Sequence, residues 1–597
     1  MCGINGILRL KDNVEQVSRE ELLRTRDYLA SRGPDGFGEW ISGTGEIGLG
    51  HRRLAIIDLS PAAAQPLNWD NGRYQIVFNG EIYNYRELRQ GLEQDGVVFR
   101  SRSDTEVIPA LYAREGPAML ARLRGMYALA LWDDREHRLL LARDPYGIKP
   151  LYYSIEDGYL RFASQVKALE AGGSTSHEVD PAGAVGFLLW GSVPEPHTIR
   201  RAIRALPAGH YLIAEDGRVE EPHPHHCFGH FSCPKQPTIA AALEDTVRAH
   251  LVADVPVAVF LSAGLDSSLL AALACRFLPE PPLTFTLRFD SFVGTPLDEA
   301  PLAAEISKTL GTRHLERRVG RAEFPDLWSR AVVAMDQPSI DGFNVYVVSQ
   351  VAHAEGLKVA LSGLGGDELF GGYSSFREIR RWVRLAQLGR GMPGLTTVWP
   401  RLARLLRPHQ PKLTGFFRYG SKLAGAYFLR RGLYLPEELP GILGHDMAKA
   451  GLAVYDPMLD AAKLLADTCP GDGREMSEQI WHSVHIMEST QYMRNQLLRD
   501  ADWASMAHSL EIRVPFVDAW LREQMAFFSF EPARSQGKAA VARQIAPELP
   551  SALWERPKSG FFFPVMEWLQ ESSSSNKVRS WGSDSRQIAI RLLREFL

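Results

Sequence analysis

Three groups of residues in this 597-residue chain have types and spacings that can do chemistry. The first is Cys2, in Met1-Cys2-Gly3-Ile4. Removal of the initiator methionine gives it both a thiol and an α-amine, and an amine that takes the thiol proton makes one residue nucleophile and base for acyl transfer. Cys2 is equally readable as a small residue near a ragged end, although Ile4, Ile7 and Leu8 read as a short strand that orders it. The second is Ser262-Ala263-Gly264-Leu265-Asp266-Ser267-Ser268, between an apolar strand at 257–261 and a helix. Small residues there let backbone amides and a helix N-terminus approach a phosphate. The loop lacks the lysine of a Walker motif and the third glycine of a dinucleotide fingerprint. Asp266 is compatible with phosphate if Mg²⁺ lies between them. The third is Ser362-Gly363-Leu364-Gly365-Gly366-Asp367-Glu368, continuing to Gly371-Gly372 after a strand at 358–361. It brings Asp367 to the same carboxyl edge, where ligands of open α/β sheets collect. Either loop alone reads also as a tight turn with a helix cap; two on successive elements of one sheet point to a shared site.

The elements that must position these residues differ between the two halves. Residues 1–215 carry short apolar runs between glycine-containing turns, such as 47–49, 74–78, 126–132 and 139–142, with helical spacing at 17–30, 84–94 and 104–115. That pattern predicts a layered α+β domain of stacked sheets. Residues 216–237 read as a linker, since the stretch from 220 is rich in proline and histidine and has no period. A domain over 238–597 follows, alternating helix 238–251, strand 257–261, helix 268–277, strand 283–289, helix 298–310 and strand 358–361. This is an α/β pattern with a parallel sheet under helices. Beyond 375 the chain reads as mainly helical, clearest at 478–500 and 535–547, and the polar run from Ser572 to Ser585 reads as a loop.

Composition narrows the function classes. The length requires at least two domains, and 45% hydrophobic with 23% charged residues is the balance of a soluble globular protein. With 67 basic against 71 acidic residues the chain offers no whole-chain argument for nucleic acid. Local charge differs: ten Arg or Lys against one Glu lie between Arg377 and Arg418, alongside Trp382, Trp399, Phe416 and Phe417. A solvated helical surface or a subunit contact, such as a homodimer, accounts for that stretch. Cys2, Cys227, Cys233, Cys275 and Cys469 are odd in number and scattered, which predicts a reducing compartment rather than a disulfide framework. Cys227 and Cys233 lie among His223, His225, His226 and His230, but the spacing fits no closed zinc pattern. No apolar run approaches the roughly 18 to 20 residues of a membrane span, and the amino terminus is not laid out as a secretion signal. Cytoplasmic residence with no membrane partner is the expectation.

The ordered motifs carry a resemblance. They are Met1-Cys2-Gly3-Ile4, Arg32-Gly33-Pro34-Asp35, His51-Arg52-Arg53-Leu54-Ala55-Ile56-Ile57-Asp58, Phe78-Asn79-Gly80-Glu81-Ile82-Tyr83-Asn84, Ser103-Asp104-Thr105-Glu106, Arg143-Asp144-Pro145-Tyr146-Gly147-Ile148-Lys149-Pro150, the two loops above, and Ser505-Met506-Ala507-His508-Ser509-Leu510-Glu511-Ile512-Arg513-Val514-Pro515-Phe516. On these, the first half resembles the class II, N-terminal-nucleophile (Ntn) glutamine amidotransferase domain, and the second the adenylating domain of glutamine-dependent asparagine synthetases. The likeness runs from residue 1 to about 570. It implies an α+β Ntn-type glutaminase followed by an α/β pyrophosphatase-type ATP domain with helical additions.

The family's roles carry over as implications. Cys2 forms the glutamyl thioester; Asn79 and the Gly80 amide resemble the oxyanion hole. Arg53 resembles the partner of glutamine's α-carboxylate, and Glu81 and Asp104 the groups holding its amide side and α-amine. Leu261, Ser262, Gly264, Asp266, Ser267 and Ser268, with Ser362 and Gly363, resemble the ATP-holding residues, Asp266 and Asp367 the Mg²⁺ ligands. Lys558 resembles the lysine that stabilises charge as the acyl adenylate forms or collapses. The implied reaction hydrolyses glutamine, passes ammonia internally and amidates an ATP-activated carboxylate, by default aspartate, with AMP and pyrophosphate as products. Three departures stand out: Ala263 in the phosphate loop, Trp503 where many relatives have Arg, and Leu364 where asparagine synthetases are acidic. Leu364 leaves open another carboxylate as acceptor, whereas Glu368 beside it, by taking over the missing acidic role, would keep aspartate as the substrate. A decayed scaffold would be expected to have lost Cys2, Asp266 or Asp367, and all three are present.

Overall fold

Gly3-Ile4-Asn5-Gly6-Ile7-Leu8 mixes small with apolar residues on both faces, and it forms the strand Gly3–Arg9, almost wholly buried. In the computed structural model, which describes residues 2–226, 238–389, 395–406, 410–468, 476–527, 537–556, 564, 568 and 581–597, this strand is interior to an antiparallel sheet. The order is Ile203–Ala205, Tyr152–Glu156, Tyr159–Ala163, Gly3–Arg9, Ile47–Arg53, Gly36–Ile41. Gly6 permits the packing, because a Cβ there would lie 2.4 Å from the Phe162 ring.

A second antiparallel sheet runs Arg218–Val219, His210–Glu215, Arg138–Arg143, Gly125–Asp133, Tyr74–Ile82, Leu67–Trp69. The two sheets meet across Ile4, Leu8 and Leu49 on one side and Val77, Ala128, Trp132 and Leu141 on the other. Helices Tyr85–Gln94 and Val107–Glu115 cover the far face of the second sheet. The strand Gly125–Asp133 is therefore buried on both faces, which is why its sequence is a continuous apolar run rather than an alternating one. The stretch read as a linker from 216 is corrected here: Arg218–Val219 and His223–Pro224 both pair with His210–Glu215. Prolines and histidines hid strands that are two residues long. Residues 227–237, with Cys227, Cys233 and His230, lie outside the described residues, as do Cys469 and residues 572–580.

The second half builds a five-stranded, all-parallel sheet ordered Arg313–Val319, Leu283–Phe289, Val257–Phe260, Val359–Leu361, Glu511–Arg513. Two of these strands escaped the sequence reading. Arg313–Val319 is an edge strand, half exposed and rich in charge; Glu511–Arg513 has three residues, two of them charged, and is fully buried. The order places the topological switch between Val257–Phe260 and Val359–Leu361, and the loops leaving these two strands are the two glycine-containing loops. Near the carboxyl end, the helical pattern over 478–500 resolves into an α-helix Met476–Met487, a π-helical stretch Glu488–Leu498 and an α-helix Arg499–Met506. Among the described residues no helix is long and apolar enough to cross a membrane.

The halves are joined by ion pairs, of which Arg32–Asp502 is buried on both sides. Arg32, fully buried, donates from Nη1 and Nη2 to the two Asp502 carboxylate oxygens at 2.7 and 3.1 Å. Arg124 binds Asp518, and Lys358 binds Asp35 at 2.7 Å. A desolvated pair gains little over an apolar pair of the same shape, but half of one is costly. Arg32→Met should lower stability by about 3–5 kcal/mol, read as a fall in the denaturation midpoint. Arg32→Met combined with Asp502→Leu should recover most of that loss, because the unpaired charge is what costs.

Candidate functional site

Cys2 stands where the central strand of the first sheet begins, and Asn79 comes to it from the strand Tyr74–Ile82 of the second. The Cys2 N–H donates to Asn79 Oδ1 at 2.9 Å, the Cys2 carbonyl accepts from Arg32 Nε at 3.1 Å, and Sγ lies 3.9 Å from the Leu54 carbonyl. The nitrogen is an amide with Met1 attached; after methionine removal it stands for the α-amine. Holding Oδ1 in this way leaves Asn79 Nδ2 buried with no hydrogen-bond partner among the described residues. A buried donor without a partner is costly to maintain and marks a place where an acceptor is meant to arrive. The next residue must be glycine: a Cβ on Gly80 would sit 2.1 Å from the Met126 carbonyl. Burial pushes the Cys2 thiol above its usual value, so the thiolate needs a base close by. His51, whose Nε2 lies 3.3 Å from the Phe78 carbonyl, is pushed down by burial to about 3 and is neutral.

Near this centre stand Arg53, Asp104 and Glu81, with one further partner, Arg513, that sequence reading missed. Arg53 leans on the loop 58–60, donating to the Ser60 carbonyl at 2.9 Å and to that of Asp58. Asp104 accepts from the Ile82 N–H at 2.9 Å and from Ser103 Oγ at 3.3 Å, and burial raises it to about 6. Glu81 is buried, with Oε1 3.3 Å from Arg513 Nη2 and Oε2 unpartnered. Arg513 comes from the other half of the chain; its Nε donates to Glu511 at 2.6 Å and its Nη1 to the His250 and Val252 carbonyls. Three buried carboxylates, Glu81, Asp104 and Glu511, thus face one guanidinium. Burial and Glu511 drive Glu81 upward, while Arg513, Lys149 and the amino-terminal charge outweigh burial at Glu511 and hold it down. The cluster is short of positive charge, which suits an incoming ammonium group.

The second centre lies at the sheet's switch point. Ser267 Oγ binds the Ser262 N–H at 3.1 Å and the Ser262 carbonyl at 2.8 Å, and Ser262 Oγ accepts from Gly264 N at 3.3 Å, so the first loop is closed by its own serines. Ser268, fully buried in the first turn of the helix Leu265–Phe277, turns its hydroxyl back to donate to the Gly264 carbonyl at 2.8 Å. Leu261, buried, bonds its N–H to the Phe285 carbonyl. Ala263 is buried and keeps a non-left-handed backbone, so the missing glycine costs nothing there.

The second loop packs directly on the first. A Cβ on Gly363 would fall 2.9 Å from Asp266 Cβ, and one on Gly366 2.2 Å from Asp266 Oδ1. Lys538, from the helix Gly537–Ile545, inserts its ammonium between the two carboxylates, bonding Asp266 and lying 3.1 Å from Asp367 Oδ1. Burial works against its charge, but Asp266 and Asp367 outweigh it and hold the lysine above its usual value. Two carboxylates that converge on one cation are a fitting donor set for Mg²⁺, which takes hard oxygen ligands. Lys538 was missed because it is 272 residues from Asp266 in sequence and belongs to no local motif. Lys558 lies outside the described residues.

Beside the second loop, Leu364 is half-buried among apolar residues of the second half. Glu368 is buried, accepts from Tyr373 OH at 2.9 Å, leaves Oε2 unpartnered and is raised by burial to about 8. Asp500 accepts from Ser339 Oγ at 2.7 Å and from the Trp503 indole at 2.8 Å, and burial, with Asp341 adding to it, raises it to about 7. Trp503 thus fills a structural position, its ring against Tyr346 and its N–H on a buried acid.

Comparison with known proteins gives a family match for each half of the chain. Residues 1–226 match the model of the glutamine amidotransferase domain and residues 238–594 that of asparagine synthase. The chain is 30% identical to asparagine synthetase [glutamine-hydrolyzing] 1 of Bacillus subtilis over 97% of its own length and 89% of the relative's. It is 35% identical to a putative asparagine synthetase [glutamine-hydrolyzing] of Mycobacterium bovis, covering 92% and 85%, and 31% identical to the amidase chry2 of Gibberella zeae, covering 88% and 82%. The contact between the loops yields a test. Gly366→Ala, which drives a methyl into the Asp266 carboxylate, should weaken Mg²⁺-dependent ATP binding by about tenfold or more in calorimetry, on the order of 1.4 kcal/mol.

Proposed function

This chain belongs to the asparagine synthase family and carries a glutamine amidotransferase domain ahead of the synthase domain, and we propose that Cys2 frees ammonia from glutamine for use on an acyl adenylate made at the Asp266–Asp367 centre. It is a glutamine-hydrolysing carbon–nitrogen ligase. The observation that carries the residue-level reading is the orphaned Asn79 Nδ2 donor beside Cys2.

At the first centre the Cys2 α-amine takes the thiol proton and the thiolate attacks the glutamine carboxamide. Asn79 Nδ2 and the Gly80 N–H receive the developing oxyanion, ammonia leaves, and water releases glutamate from the thioester. Arg53 pairs with the α-carboxylate; Glu81 and Asp104 take the α-amine into a cluster short of one positive charge. At the second centre the two loops hold the triphosphate of ATP, a substrate here, and an acceptor carboxylate oxygen attacks the α-phosphorus with loss of pyrophosphate. Asp266 and Asp367 would hold Mg²⁺, which when bound would offset phosphate charge. Lys538 gives up its contact with the two acids and turns to phosphate, and Lys558 is assigned to the adenylate. Ammonia then attacks the acyl carbon and AMP leaves. It must cross as NH₃, because ammonium has no lone pair; the buried junction of Arg32, Asp502, Glu511 and Arg513 supports a route shielded from water.

Aspartate is the acceptor proposed, with Glu368 and Asp500 as buried acids for its ammonium group in place of the acid absent at position 364. A second reading, another carboxylate, is favoured by Leu364 itself. Cytoplasmic residence fits the free thiols of Cys2 and Cys275.

Cys2→Ala should abolish glutamine-dependent synthesis and leave synthesis from ammonium salts within about twofold, measured as pyrophosphate release; loss of both would refute the division of labour. Asp104 must be charged to hold the ammonium group, so kcat/KM for glutamine should fall as pH drops through about 6. Arg513→Met removes the cation that favours the charged form of Asp104 and Glu81. It should move that fall to higher pH and raise KM for glutamine by about tenfold, with ammonia-dependent turnover retained. In an acceptor screen, aspartate should outperform N-acylated and non-amino carboxylates; a different winner whose preference shifts on Leu364→Glu would establish the second reading.

A further inference from the structure

The arginine-rich stretch after residue 375 takes no part in either centre. It forms the helices Ser375–Leu388 and Leu395–Leu406. Their inner faces share one support: Trp382 and Trp399 lie 6.3 and 6.4 Å from the Phe416 ring, and Phe376, Ile379 and Ala403 are buried. The outer faces are unusual. Val398, Leu402 and Leu405, at positions i, i+4 and i+7 of the second helix, are 52, 42 and 78% exposed, and Leu385 and Leu388 of the first are 55 and 74% exposed. Around them stand Arg377, Arg380, Arg381, Arg384, Arg401 and Arg404, all exposed. Among the described residues none of the six forms an ion pair, and the one acid of the stretch, Glu378, is taken by Arg430 at 3.0 Å.

A helix with one apolar stripe bordered by arginines, exposed along its length, matches the boundary between headgroups and acyl chains. The apolar side chains enter the acyl layer and the guanidinium groups reach phosphate. The alternatives fit less well. A second copy paired about a two-fold axis would set this face against itself and bring two sets of unpaired arginines together. Single-stranded nucleic acid calls for exposed aromatic rings to stack on, whereas Trp382, Trp399, Phe416 and Phe417 are packed on one another.

We infer that the outer face of these two helices docks the enzyme onto the surface of an anionic lipid bilayer, peripherally and without crossing it. Six positive charges supply the attraction to acidic headgroups, and the five apolar side chains give the contact its depth. Docking of this kind brings the adenylating half next to any acceptor carried by a lipid.

The test is co-sedimentation of the full chain with vesicles. Vesicles of phosphatidylcholine containing about one third phosphatidylglycerol should retain at least about tenfold more protein than phosphatidylcholine alone, with the excess falling several-fold near 0.5 M salt. Leu402→Ser with Leu405→Ser should reduce binding about tenfold, and Arg380→Gln with Arg381→Gln and Arg384→Gln should remove the preference for acidic lipid. Ammonia-dependent synthesis should be unchanged in both, which also reports that each variant is folded. Should one variant fail that control, the other carries the comparison alone. Equal retention on both vesicles, or retention that neither variant alters, would overturn the inference. So would a dimer in sedimentation equilibrium that Leu402→Ser with Leu405→Ser dissociates, which would assign the face to a second copy.

Discussion

Arg513 is the residue on which both halves of the molecule depend. Its guanidinium is fully buried and reaches Glu81, one residue past the Gly80 amide. Its carbonyl accepts from the Ser362 N–H at 2.9 Å, where the second glycine-rich loop begins. One residue therefore touches the acidic cluster beside the Cys2 centre with its side chain and the second glycine-rich loop with its backbone. Arg32 makes a parallel link, binding Asp502 of the second half while its Nε holds the Cys2 carbonyl. Buried charges in such numbers contribute little net stability. What they fix is geometry: a guanidinium with three or four required partners tolerates one arrangement of the two domains.

The same economy governs the second centre. Glycines at 363 and 366 bring one loop against Asp266, and the helix carrying Lys538 returns from far along the chain to neutralise both carboxylates. Without that ammonium two acids would face each other across a partly buried gap. The lysine thus offsets the charge of both carboxylates at the point where they converge. Beyond the second loop the acids differ: Glu368 and Asp500 are raised by burial, so a cationic neighbour would favour the charged form of each.

Sequence alone determined what local chemistry determines. The Cys2 strand, the two glycine-rich loops and the alternation of strand and helix after 238 follow from residue size, apolar periodicity and the positions of glycine, all of which act over a few residues. The family resemblance that the ordered motifs carry implied one site for Asn79, Gly80, Arg53 and Asp104. Tertiary structure decided the rest, because the deciding contacts span the chain. The two-residue strands at 218–219 and 223–224 exist only because His210–Glu215 offers an edge, and Glu511–Arg513 is a strand only because Val359–Leu361 lies beside it. No local pattern foretells that Lys538 meets Asp266, that Arg513 meets Glu81, or that, among the described residues, six arginines of the helices Ser375–Leu388 and Leu395–Leu406 are left without acids. Charge pairing across long sequence separation carries no periodicity, so it becomes legible only when the fold has brought the partners together.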